Sequence, residues 1–261
     1  MGKKQAKNKN EMWKKLVLTA TLLITVFCGL TFWHFYTAVY SPNVGFQGND
    51  KYFYIPTGTN FMSVSRALVE EGIVVDRNSF DWVADQKNYV KNVKPGRYLI
   101  SAGMSNNELI NLLRSGEQEP VKVTFNSIRF KEELAGKVGS YIEADSTAII
   151  ALLNDSDFAA QYGFELDKLL TLFLPNTYEF WWNTSSEQFV ERMAAEYKKY
   201  WTAERKQKAS KLGLSQSEVR ILASIVQKET TKQDDKPTVA GVYLNRLDKG
   251  MLLQADPTLV Y

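Results

Sequence analysis

Hydrophobic and polar positions divide the chain into distinct regimes. From Leu16 to Val39 the run LVLTATLLITVFCGLTFWHFYTAV is apolar, and no Asp, Glu, Lys or Arg occurs from Leu16 to Tyr40. Apolarity of this length predicts a helix able to cross a hydrocarbon layer about 30 Å thick. Residues 41–52 are polar and glycine-bearing and read as a short juxtamembrane linker. Short alternations and helical stripes then interleave. Tyr54-Ile55 reads as a strand ending in a turn at Pro56, and Phe61 to Gly72 as a helix on Val64, Ala67 and Leu68. Phe80, Trp82 and Val83 suggest a second short helix, and Gly96–Ile100 a strand after a Pro-Gly turn. Ser105-Asn106-Asn107-Glu108 has capping-box spacing and opens a helix on Leu109, Ile110, Leu112 and Leu113 that Gly116 closes. Val121–Phe125 alternates cleanly, as a strand does. Residues 53–125 are therefore expected to form a small α+β module.

Downstream, Phe130–Ile142 and Ser146–Asn154 carry helical patterns, and Leu174–Trp182 is aromatic and turn-like. Ser186–Leu212 reads as one long amphipathic helix, with Phe189, Val190, Met193, Tyr197 and Trp201 on one side. Ser215-Gln216-Ser217-Glu218 is a second capping box. The helix it opens carries Leu222, Ile225, Val226 and Glu229 at i, i+3, i+4, i+7 spacing. Asp235-Lys236-Pro237 marks another helix start, running through Val239, Val242, Tyr243, Leu244 and Leu247 to Gly250. The fold class expected is α+β: an N-terminal transmembrane helix, a small α+β module, and a larger, mainly helical α+β domain over 126–261.

Charge orients the first segment. Residues 1–15 hold six lysines and one glutamate, although the whole chain has a net charge of only +3. Lysines before the apolar run place the N-terminus in the cytoplasm and everything after Tyr40 outside it, in a single-pass arrangement. The apolar run exceeds a signal-peptide core of about 7–15 residues, which favours an uncleaved anchor in the cytoplasmic membrane. The chain beyond Tyr40 has a slight acidic excess, which argues against nucleic acid as the main partner.

The chemical inventory is narrow. His34 is the single histidine and Cys28 the single cysteine, and both lie in the apolar run. The remainder holds no Ser-His-Asp triad, thiol nucleophile or histidine-rich metal site, and nothing calls for a metal or cofactor. Enzymatic chemistry there would rest on carboxylates, hydroxyls, lysines or amides. Glu229 continues an apolar stripe. Burial would disfavour its charged form, which suits a general acid; a helix end that releases the side chain to solvent is the plainer alternative. Leu253-Gln254-Ala255-Asp256-Pro257-Thr258 comes next as a turn rich in hydrogen-bonding groups, and serves equally as an ordinary turn starter.

At these residues the sequence resembles the endolytic murein transglycosylases of the YceG-like type. The resemblance is carried by Leu222–Thr230, by Tyr243–Leu247 with Gly250-Met251, by Leu253–Thr258, and by Leu174–Tyr178 upstream. Gly96-Arg97-Tyr98 and Gly103-Met104-Ser105 resemble the family's LysM-like module. The resemblance implies cleavage within peptidoglycan glycan strands, with Glu229 as the catalytic acid, and a membrane-anchored enzyme associated with cell-wall synthases. The family often has a second acid two positions before the catalytic one, where this chain has Gln227, and Asn176 stands where many relatives carry Asp. Gln254, Asp256 and Tyr178 are the residues expected to position sugar or stabilise charge. Relatives continue beyond the block that ends at Tyr261, so 126–261 is expected to be an incomplete catalytic domain. Three other readings stay open: a non-catalytic peptidoglycan-binding protein, a conventional glycoside hydrolase with Asp256 as second carboxylate, and a scaffold in a cell-wall complex.

Overall fold

A computed structural model describes residues 2–126 and 128–255, with side chains from residue 13 onward. It is a mixed, predominantly helical α+β structure with two small sheets and one long apolar N-terminal helix. The chain divides into two compact units, 1–119 and 120–261.

The first unit opens with α1, Gly2–Tyr40. Its stretch Trp13–Tyr40, 28 residues, is long and apolar enough to cross a membrane, and its side chains lie largely exposed. The rest of the unit is built on an antiparallel pair, β1 (Lys51–Ile55) and β2 (Gly96–Ile100), with Phe53 opposite Tyr98. Alternation sends Phe53, Ile55, Tyr98 and Ile100 to one face. Three helices cover that face: α2 (Phe61–Glu70), α3 (Arg77–Gln86) and α4 (Asn106–Ser115). Leu68, Phe80, Leu109 and Leu113 close the core. The Tyr98 hydroxyl donates to the Lys94 carbonyl at 2.9 Å, and burial pushes its phenol up to about 12. The capping box at Ser105 and Glu108 forms as expected, and Gly116, at φ +76°, ends α4 in the left-handed conformation.

Residues 41–52 differ from the expected linker. Asn43 and Val44 donate backbone hydrogen bonds to Met104 O, Gly45 to Ile73 O, and Lys51 already belongs to β1. Asn43 and Asn106, both buried, form the hub. The Asn43 amide donates to Asp76 O and to Asn106 Oδ1, each at 2.8 Å, and its Oδ1 accepts from Asp76 N at 2.7 Å. Asn106 in turn donates to Ala38 O, in the last turn of α1, at 2.9 Å. Ordinary polar composition concealed this, because an asparagine that joins three elements reads locally like one in a loop. Asn106→Ala leaves buried partners unpaired and is expected to cost about 1–3 kcal/mol. Denaturant unfolding of the full chain in detergent micelles measures it.

The second unit opens with β3 (Val121–Phe125). The strand pairs antiparallel with β4 (Asn176–Phe180), Val123 opposite Tyr178, so it belongs here and not with the preceding module. Leu174–Trp182, expected as a turn, thus contains a strand, with Tyr178 and Phe180 inward and Thr177 and Glu179 outward. Helices α5 (Lys131–Gly139), α6 (Ser146–Leu153), α7 (Ser156–Gln161) and α8 (Ser186–Tyr200) pack round this pair. Phe125, Leu134, Leu153, Phe173, Phe180, Phe189 and Met193 fill the core. The expected single helix over 186–212 is two. After α8 the chain leaves helical geometry at Trp201, which is buried, and Thr202 caps α9 (Ala203–Lys211) by accepting from Arg205 N at 3.3 Å. Two further helices, α10 (Gln216–Glu229) and α11 (Lys236–Asp248), share a smaller apolar cluster of Ile225, Val226, Tyr243 and Ala255.

Candidate active site

The stripe on α10 ends in a carboxylate. Ile225 and Val226 are buried in the small cluster, but Glu229, the last residue of the helix, is exposed. Of the two readings of the stripe, burial and a helix end open to solvent, the structure has the second: the stripe's final position sits on the rim of the cluster, not inside it. Thr230 continues in extended conformation, so the chain turns away immediately.

Glu229 is held from the neighbouring helix. The Tyr243 hydroxyl donates to Glu229 Oε1 at 2.7 Å, while the Tyr243 ring is buried beside Ile225 and Val226. The apolar cluster therefore fixes the tyrosine, and the tyrosine fixes one carboxylate oxygen. The Gln227 side-chain carbonyl accepts from Lys236 Nζ at 2.6 Å, tying α10 to the start of α11.

The segment after α11 is strapped to the same helix. Arg246 Nε donates to Leu252 O at 2.9 Å, and its Nη2 donates to Gln254 Oε1. Ala255 is buried against the small cluster, and Leu253 packs at its edge. Gln254 adopts φ +49°, a left-handed conformation uncommon for a residue with a side chain, and it bends the strap outward between those two anchors. Gln254 thus belongs to the α10–α11 assembly that carries Glu229. Asp256 lies outside the described residues.

Tyr178 stands elsewhere. It is buried in the main core of the unit, packed on Phe125 at 5.2 Å between ring centroids, and its hydroxyl donates to Leu174 O at 2.8 Å. Burial pushes its phenol up, and the Glu196 carboxylate adds to this. Its hydroxyl is committed, and only its edge borders a cavity of about 560 Å³ shared with Asn176, Tyr200, Arg220 and Ala223. Trp181, three residues further on, is the exposed aromatic of this stretch.

Sequence reasoning placed Tyr243 among core positions and missed its polar role. The signal was available: a tyrosine on an apolar stripe needs a partner for its hydroxyl, and the nearby helix supplies one acid at its end. Arg246 was likewise missed, since a strap of two hydrogen bonds has no periodic signature. Among the described residues no group of three or more His, Cys, Asp or Glu side chains could hold a metal ion.

Comparison with known proteins gives this geometry a family. Residues 53–261 match the model of the YceG-like family. Over 234 residues, 79% of this chain and 42% of the relative, the sequence is 28% identical to proteins named endolytic murein transglycosylase from two strains of Streptococcus pneumoniae. Over 225 residues, 79% of this chain and 61% of the relative, it is 24% identical to the protein of the same name from Bacillus subtilis. The chain thus spans about half the length of the curated relatives it matches. A crystal structure of a YceG-like protein from Listeria monocytogenes has the same fold, with a TM-score of 0.51 at 23% identity over 82% of this chain and 75% of that one. On the match that runs from β1 through α11 to residue 261, this chain belongs to the YceG-like family.

Proposed function

We propose that the chain is a membrane-anchored endolytic murein transglycosylase that cuts the MurNAc–GlcNAc bond within peptidoglycan strands, with Glu229 as acid and then base. Glu229 donates a proton to the oxygen leaving C1 of N-acetylmuramic acid, and the transition state carries oxocarbenium character. The C6 hydroxyl of the same sugar attacks C1 and returns its proton to Glu229. The product is a 1,6-anhydro end; one bond breaks, one forms, and no water is consumed. Because the substrate supplies the nucleophile, a single carboxyl group suffices where an ordinary glycosidase uses two.

The observation that carries this reading is the 2.7 Å hydrogen bond from Tyr243 to Glu229 Oε1 on an exposed carboxylate. A donor on one oxygen favours the proton on the other, so the acid presents its proton in a defined direction. Exposure lets a polymer reach it. Gln254, strapped to α11 by Arg246, and Asp256 are the proposed sugar-positioning groups, with Tyr178 at the border of the cavity that Arg220 and Ala223 of α10 also line. The names of the relatives and the family match support the same chemistry. The topology rests on the lysine-rich start: N-terminus in the cytoplasm, single crossing, and the rest in the cell-wall compartment. Within that compartment, the first unit from residue 53 to 119 serves as a LysM-like module and the second unit, with β3, as the catalytic part, and cell-wall synthases are the expected partners.

Isolated sacculi treated with the protein are expected to release soluble fragments and to retain shorter glycan strands, read by chromatography of the strands. Binding to sacculi with unchanged strand lengths contradicts the proposal and identifies a binding protein instead. Tyr243→Phe removes the group that orients the acid while keeping its packing. The rate of fragment release is expected to fall about 10–100-fold with little change in sacculus binding.

A further inference from the structure

Trp82 packs α3 against the C-terminal part of α1. Its ring stacks on Phe35 of α1, centroids 5.1 Å apart and planes 25° from parallel, and it remains 39% exposed. Asn78 and Ser79, one turn earlier on α3, line with Trp82 a cavity of about 440 Å³ against His34, Thr37 and Ala38 of α1. The hydrogen bond from Asn106 to Ala38 O and the Asn43 hub pin the same turn of α1. α1 therefore does not end on a flexible tether. Its last turns are part of the folded unit.

The depth of this contact is set by helix geometry. The charge-free span begins at Leu16, directly after Lys14 and Lys15. A helix rising about 1.5 Å per residue crosses a hydrocarbon layer of about 30 Å in about twenty residues. Counted from Leu16, the hydrocarbon ends near Phe35, and Tyr36 to Tyr40 run through the headgroups. The ring of Trp82 is stacked on the residue at that boundary, where the amphipathic indole is favoured. Asn78, Ser79 and Trp82 carry no charge there, Arg77 and Asp81 pair with each other at 3.3 Å, and Asp76, the acid that lines the same cavity, has its carboxylate turned to the start of α3, accepting from Asn78 N and Ser79 N. Asp85, in the turn of α3 after Trp82, limits the contact to headgroup depth.

We infer that the α3 surface around Trp82 is a second membrane contact, seated in the outer headgroup layer of the bilayer that α1 crosses. The inference rests on the proposed single crossing. Its consequence is that 41–119 rides at a fixed height and orientation on the membrane.

The test uses the full chain, with Cys28→Ser to remove its single cysteine, in liposomes of phosphatidylethanolamine and phosphatidylglycerol. Nitroxide labels are placed singly through Trp82→Cys, Asn78→Cys, Ile24→Cys and Glu70→Cys, and their collisions with oxygen and with a water-soluble nickel chelate are measured. The Asn78 variant keeps Trp82 and so reads the intact contact. Expected is a loss of nickel collisions at 78 and 82 relative to the exposed Glu70 site, with oxygen collisions between those at 70 and 24. Labels at 78 and 82 as open to nickel as the label at 70, with 24 still shielded, overturn the inference and leave the crossing intact. A label at 24 open to nickel overturns the crossing and the inference with it.

Discussion

Replacing Glu229 by Gln is expected to abolish glycan cleavage, lowering fragment release from sacculi by about 10³-fold or more. General acid–base catalysis by one positioned group contributes about 10²–10⁴, and in the proposed mechanism the same carboxyl performs both proton transfers. The substitution is unusually clean. Glu229 is exposed at the end of α10, and the Tyr243 hydroxyl can donate to an amide oxygen as it does to Oε1. Stability should therefore change by no more than about 0.5 kcal/mol, as for surface replacements in general. Rate measured alongside thermal unfolding separates loss of the proton donor from loss of the fold. A variant that keeps a tenth of the parent rate would remove Glu229 from the mechanism.

The largest stability effect is expected from Phe189→Ala. Phe189 is fully buried on α8 and lies at the centre of an aromatic stack, 5.7 Å from Phe173 and 5.4 Å from Phe180 between ring centroids. It joins α8 to β4 and to the turn that precedes it. Removing the ring forfeits its transfer free energy and leaves a void, a loss of about 3–5 kcal/mol. Set against a typical domain stability of about 5–15 kcal/mol, that destabilises much of the second unit. Urea unfolding followed by near-ultraviolet circular dichroism reads the aromatic packing directly, and a midpoint shift equivalent to less than about 1 kcal/mol would contradict this packing account.

The two predictions sit on opposite sides of what a sequence displays. Phe189 was legible because core positions follow the period of the element that bears them, and the stripe on α8 is regular. The capping boxes at Ser105 and Ser215 were legible because every contact in them lies within three residues. The break between α8 and α9 was not. The amphipathic pattern continues through Trp201, and only the capping role of Thr202 marks the interruption. β4 was hidden because a five-residue strand beside Pro175 is short and its partner, β3, lies more than fifty residues earlier. Linear position, not pairing, assigned β3 to the preceding module.

The candidate site shows the same division. Glu229 emerged from motif and spacing, but the sequence left burial and solvent exposure both open, because helical periodicity assigns a face without saying where the neighbouring helix stops covering it. Tyr243, fourteen residues further on, meets Glu229 only through the packing of α10 on α11. Arg246 organises Gln254 through hydrogen bonds with no sequence period at all. Tyr178 went the other way: its motif suggested contact with sugar, and its burial and its bond to Leu174 O give it a core position. Local chemistry was readable wherever its partners were local, and long-range polar contacts became visible only in the folded chain.

The central claim is that this chain closes a sugar on itself instead of adding water, using one carboxyl group. Digestion of sacculi in water enriched in oxygen-18, followed by mass spectrometry of the new muramic ends, tests it most directly. The account predicts 1,6-anhydro ends without the heavy isotope, formed by the parent and missing with Glu229→Gln. Reducing ends carrying one atom of oxygen-18 would contradict it and show a hydrolase with a second catalytic group.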